Sequence, residues 1–83
     1  STSCYNVLIF VHCTPASTEL HIAENIHSDQ PTIKRCIIYL KALGLVRMMP
    51  HQRYIKPFNT YKTEKTYIIT TKGKTVLNKL LNY

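Results

Sequence analysis

Gln30, Thr32, Lys34 and Arg35 bring four hydrogen-bonding side chains into one short stretch, and Lys34 and Arg35 are the first cationic residues of the 83-residue chain. A guanidinium presents a planar fork of donors that matches guanine O6 and N7, worth about 1–3 kcal/mol of base discrimination. A lysine is a point charge suited to phosphate. Gln and Thr bond phosphate oxygens or base edges. A second basic group occurs at Arg53, Lys56, Lys62 and Lys65, interleaved with Tyr54, Phe58 and Tyr61. Net charge is +7, but its distribution says more than its sum. Residues 1–33 hold three acids and no Lys or Arg, whereas residues 34–83 hold all 11 basic residues and one acid, Glu64. A basic half on a small domain is the footprint of a polyanion-binding face, although a solvated surface that only favours solubility has the same composition.

Other chemistries find little to stand on. No nucleophile–base–orienter set is present, and with two glycines, Gly44 and Gly73, there is no phosphate-cradling loop, so an enzyme is not expected. The three cysteines are odd in number and form no CxxC pair. A metal-sensing constellation of His12, His21 and His27 with Cys4, Cys13 and Cys36 can be drawn, but its spacing matches no metal motif, and no metal or cofactor is expected. No apolar run approaches the ~20 residues of a membrane span. The apolar run 7–11 lacks the basic flank of a signal peptide. The expected setting is a reducing cytoplasm, with association to the nucleoid when DNA is bound. At 83 residues, one domain with a modest core is expected over 1–83.

The elements that must position these residues are legible from periodicity and punctuation. Residues 28–46 predict a helix over about 30–43. Asp29 or Ser28 can cap it, Pro31 sits where a missing N–H costs nothing, and Gly44 tolerates a left-handed exit. Ile33, Ile37 and Leu40 form its inner stripe. At about 100° per residue, Pro31, Arg35, Ile38 and Ala42 fall on the opposite face, flanked by Lys34 and Tyr39. Before it, Ser17 or Thr18 caps a helix over about 18–27 whose apolar positions are Leu20, Ile22, Ala23 and Ile26. The first element, about 4–13, is ambiguous: Val7, Ile9 and Val11 alternate like a strand, and propensity favours that reading. The helical character of the next two segments favours a helix there, with Ser1–Ser3 frayed and Ser3 able to cap it. After Gly44 the texture turns to strand. Residues 45–70 predict a hairpin whose first strand stops at Pro50, with turn chemistry at Pro57, Asn59 and Thr60 and a second strand rich in β-branched residues at 66–70. Tyr54, Phe58 and Tyr61 read as packing within that hairpin. Thr70 or Thr71 caps a last helix, about 71–82, with Val76, Leu77, Leu80 and Leu81 forming a stripe wide enough for the core and for a second subunit.

The order of three helices, two strands and a helix, with a basic outer face on the third helix, resembles the winged helix-turn-helix proteins. More narrowly, it is similar to the bacterial, archaeal, plasmid and phage regulators of MarR and PadR type. The resemblance is carried by Glu19, Leu20, Ile22, Ala23 and Ile26 in the second helix. It continues through Gln30, Pro31, Thr32, Ile33, Lys34, Arg35 and Leu40 into the exit Leu43-Gly44-Leu45-Val46, and then through Tyr67-Ile68-Ile69-Thr70-Thr71-Lys72-Gly73-Lys74. It covers about residues 18–82. The wing is longer than usual, and no long dimerisation helices flank the core.

The resemblance implies an α+β winged helix-turn-helix fold. It also implies sequence-specific binding of double-stranded DNA by a transcriptional regulator, with the third helix in the major groove and the wing on the adjacent minor groove or phosphates. Gln30, Thr32, Lys34, Arg35 and Ile38 would serve the first contact, and Arg53, Lys56, Lys62 and Lys65 the second. Ile38 would meet a thymine methyl or pack against the wing. A homodimer through the C-terminal and/or N-terminal helix is implied as well. Two other readings stay open: an assembly module that meets an acidic protein, and a DNA-binding protein of replication, excision or partition.

Overall fold

The core is built where apolar residues recur at helical spacing. A computed structural model describes residues 4–81 in the order α1 (Cys4–Cys13), α2 (Glu19–Ile26), α3 (Gln30–Ala42), β1 (Val46–Ile55), a 3-10 turn (Lys56–Phe58), β2 (Thr60–Ile69) and α4 (Thr71–Leu81). The expected fraying of Ser1–Ser3, the Ser3 cap and an extension of the last helix to residue 82 lie outside the described residues. Val7 and Val11 of α1, Ile22 of α2, Ile33 and Ile37 of α3 and Leu77 of α4 are all fully buried. Each such side chain contributes about 1.5–3 kcal/mol by leaving water. Among the described residues no helix is long and apolar enough to cross a membrane.

α1 is a helix despite its β-branched composition. Val7 and Val11, one turn apart, both face the core, with Leu8 beside them. A strand would have sent Val7 and Leu8 to opposite faces. Tertiary burial therefore overrides propensity.

The capping signals resolve to single residues. Thr18 caps α2 by accepting from the His21 N–H, and Asp29 caps α3 by accepting from the Thr32 N–H. At the far end of α3, Gly44 has φ +75. Leu20 departs from its expected role, being 56% exposed. It lies two residues before Ile22, which on a helix is nearly the opposite side, and the eight-residue α2 buries only the Ile22–Ala23 face.

β1 and β2 pair antiparallel, with Val46 opposite Ile69 and Ile55 opposite Thr60. Contrary to expectation, β1 does not stop at Pro50 but runs through it, and the register explains why. The Tyr67 N–H points away from β1, to the Ser17 carbonyl at 2.9 Å. Met48, opposite Tyr67, is therefore in a non-hydrogen-bonded pair, and alternation puts Pro50, opposite Lys65, in the same class. The N–H that proline lacks would have pointed outward. Only the base of the hairpin is buried, through Val46, Thr66 and Tyr67, while residues 47–54 are exposed. The hairpin projects from the helices and gives the molecule its 50 × 26 × 20 Å shape.

Two junctions hold the hairpin on the helices. Ser17 and Tyr67 form an isolated antiparallel bridge, and the Ser17 hydroxyl donates to the Thr14 carbonyl at 2.5 Å. At the other end the Thr70 hydroxyl donates to the Gly44 carbonyl at 2.6 Å and accepts from the Gly73 N–H at 3.0 Å. One side chain thus joins the exit of α3 to the start of α4.

Candidate nucleic-acid interface

α3 presents a basic, exposed first half because its inner stripe is fully used. Ile33, Cys36, Ile37 and Leu40 are buried, which leaves Gln30, Pro31, Lys34, Arg35 and Ile38 on the outside. Ile38 is 58% exposed, which leaves more than half of its surface open to solvent. All 11 basic residues of the chain are exposed.

The fold brings the two sequence-distant basic groups together in part. Gln30 and Lys34 of α3 and Lys62, Thr63, Glu64 and Lys65 of β2 line one open cleft together with Thr18, Glu19 and Leu20. The wing residues do not form a single patch, however. Cross-strand partners share a face of the hairpin, so Arg53 and Lys62 lie on one face and Lys65 on the other, with Lys56 at the tip. Arg47, opposite Ile68, lies on the Arg53 face and is exposed. Sequence reading missed it because only the register assigns its face.

Two of the expected contact residues are already engaged. Arg53 Nη1 donates to Glu64 Oε1 at 3.2 Å, in the one ion pair among the described residues. The only acid of the basic half thus offsets one of its cations. Thr32 donates its hydroxyl to Asp29 Oδ1 at 2.7 Å and its N–H to Asp29 Oδ2 at 3.3 Å. The Thr32 hydroxyl, together with its N–H and the charge of Arg35, holds the Asp29 carboxyl below its ordinary value. The N-terminus of α3 therefore carries its own anion, and Thr32 has lone pairs rather than a proton to offer a ligand.

At the tip, Asn59 occupies the left-handed region with φ +50, as expected of the turn. The Tyr54 hydroxyl bonds Asn59 Oδ1, and the Tyr54 and Tyr61 rings pack at 5.2 Å between centroids. Phe58 does not share that packing. It is 77% exposed, because the turn carries its side chain beyond the last strand pair.

At the cleft, Tyr67 donates its hydroxyl to Glu19 Oε2 at 3.3 Å, and burial, with the Glu19 carboxylate beside it, pushes the phenol above its ordinary value. Cys36 is buried against Cys4; that burial, and then its hydrogen bond to the Cys4 thiol, push the Cys36 thiol up to about 11. Among the described residues no three His, Cys, Asp or Glu side chains converge.

No protein-family model matches the sequence, and no curated protein matches it. Solved structures do. The transcriptional regulator SlyA is 25% identical over 98% of this chain and 52% of its own, with a TM-score of 0.70. BldR of Sulfolobus solfataricus is 22% identical over 94% and 52%, with a TM-score of 0.71. A mutant of MepR from a multidrug-resistant S. aureus clinical isolate is 16% identical over 96% and 54%, with a TM-score of 0.75. The chain spans about half the length of these proteins. Its fold is α+β, that of the winged helix-turn-helix found in MarR family transcription regulators.

Proposed function

We propose that the protein is a regulator that binds double-stranded DNA in a sequence-specific manner, with the first half of α3 in the major groove and the hairpin as a wing on the neighbouring minor groove. The observation that carries this reading is the shared cleft, lined by Gln30 and Lys34 of α3 and by residues 62–65 of the wing, in which Lys34, Lys62 and Lys65 outnumber the acids Glu19 and Glu64. Arg35, exposed on the outer face of α3, is the base-reading side chain, suited to guanine. Lys34, Lys56, Lys62 and Lys65 neutralise phosphates, and Arg53 joins them once DNA competes for its guanidinium. Gln30 bonds phosphate or a base edge. Thr32 accepts from a base-edge donor, and Ile38 meets a thymine methyl.

A two-fold dimer fits the surface left over. Leu80 and Leu81 of α4 are 50% and 53% exposed, while Leu77 on the same helix is buried in the core. A dimer built on that edge would read a palindrome with half-sites about 34 Å apart. The 15–25% identity to regulators of this fold supports the reading. Selection of bound fragments from random double-stranded DNA tests it. Enrichment of a palindromic motif is the expected result, and failure to enrich any sequence would count against it.

A further inference from the structure

We infer that the wing ends in a wedge: Phe58 inserts between stacked base pairs from the minor groove and kinks the duplex there. The inference rests on the DNA-binding reading above and adds what the tip of the wing does.

Among the described residues Phe58 is the most exposed of the large hydrophobic residues, at 77%. It stands at the far end of two ten-residue strands, remote from the buried base of the hairpin. Its turn is braced on every side. Pro57 fixes one φ, and Asn59 closes the turn from the left-handed region. The Asn59 N–H donates to the Lys56 carbonyl at 3.3 Å, and the Tyr54 hydroxyl bonds the Asn59 side chain. The paired Tyr54 and Tyr61 rings stiffen the strands just below. Such a tip holds its aromatic ring outward rather than letting it fold back.

The surroundings select the partner. Lys56 precedes the ring in the same turn, and Arg53 and Lys62 sit opposite one another on the strands beneath. Phe58, with the exposed rings of Tyr54 and Tyr61 behind it, makes a narrow aromatic tip flanked by cations rather than a broad apolar patch. It matches the apolar wedges that unstack one base step while basic neighbours hold the phosphates. Pyrimidine–purine steps such as TA, which unstack at least cost, are the expected targets.

The test uses a 40-base-pair A·T-rich duplex in which one adenine of a central TA step is 2-aminopurine, at low salt, with end-labelled dyes reporting the bend. Wild-type protein should raise the 2-aminopurine fluorescence and shorten the end-to-end distance. Phe58→Ala should remain bound yet lose both signals, and Phe58→Leu should restore part of them. Equal signals from wild type and Phe58→Ala would overturn the wedge. So would a bound wild-type complex with neither signal, which would leave Phe58 as a side chain for a protein partner. Failure of the wild type to bind the duplex at all would instead overturn the DNA-binding reading, and the wedge with it.

Discussion

The backbone of Gly73 lies directly against Leu45. A Cβ placed on Gly73 would collide with the Leu45 carbonyl oxygen and stand 2.6 Å from Ile69 Cγ1. α4 can therefore approach the junction of α3 and the wing only with a bare α-carbon at this position. By helix propensity alone, Ala should be better than Gly by about 1 kcal/mol. The collision is with backbone and should dominate, so Gly73→Ala is expected to destabilise by up to about 2 kcal/mol net. Urea denaturation checks it, and an unchanged or raised midpoint would show that α4 can shift without cost.

Thr70 secures the same junction through its hydroxyl, which serves the Gly44 carbonyl and the Gly73 N–H together. Thr70→Val keeps the shape and removes both bonds, and should cost about 1–2 kcal/mol. Thr70→Ser should recover most of the loss. Thermal melts of the two variants separate the hydroxyl from the methyl group.

Glu64 accepts one hydrogen bond from Arg53, so it competes with an anionic ligand for that guanidinium and lowers the net charge of the wing by one. Glu64→Gln should tighten binding to DNA of any sequence. It should also steepen the plot of log K against log salt by up to about 0.9, the value of one further phosphate contact. Anisotropy titrations over a range of salt measure both. A loss of affinity would mean that the pair holds the wing in its binding shape.

Cys36, raised to about 11 from an ordinary 9.0 by burial and the neighbouring Cys4 thiol, should label slowly. Alkylation at pH 8, read by mass spectrometry, should modify exposed Cys13 well before Cys36. The same shift sets the sign of a stability effect. The folded state favours the neutral thiol, so this contribution is fully present below pH 9 and is lost as pH climbs through about 11. A denaturation midpoint that holds steady across that window would contradict the assignment.

The parts of this fold that were legible in the sequence are those set by local spacing. The stripe Ile33, Ile37 and Leu40, the Asp29 cap and the exit at Gly44 need only a 3.6-residue period and the chemistry of helix ends. The rest depends on register or on distant partners. Pro50 read as a break because its tolerance hinges on which strand pairs are hydrogen-bonded, and that is fixed by Tyr67 bonding to Ser17. The Arg53–Glu64 pair and the division of the wing cations between two faces likewise need the hairpin register. Residue type marked Phe58 as packing, whereas its place in the turn leaves it in solvent. Gly73 stood out only as part of a resemblance, and its reason lies in a helix meeting a carbonyl 28 positions earlier.

Base reading by Arg35 on the outer face of α3 is the centre of the proposed function. Its most direct test compares wild type and Arg35→Ala in anisotropy titrations on a selected duplex and on a scrambled duplex at the same salt. Arg35→Ala should lose about 5- to 150-fold in affinity on the selected duplex, the equivalent of about 1–3 kcal/mol, and change little on the scrambled one. Equal losses on both duplexes, or no loss on either, would contradict it.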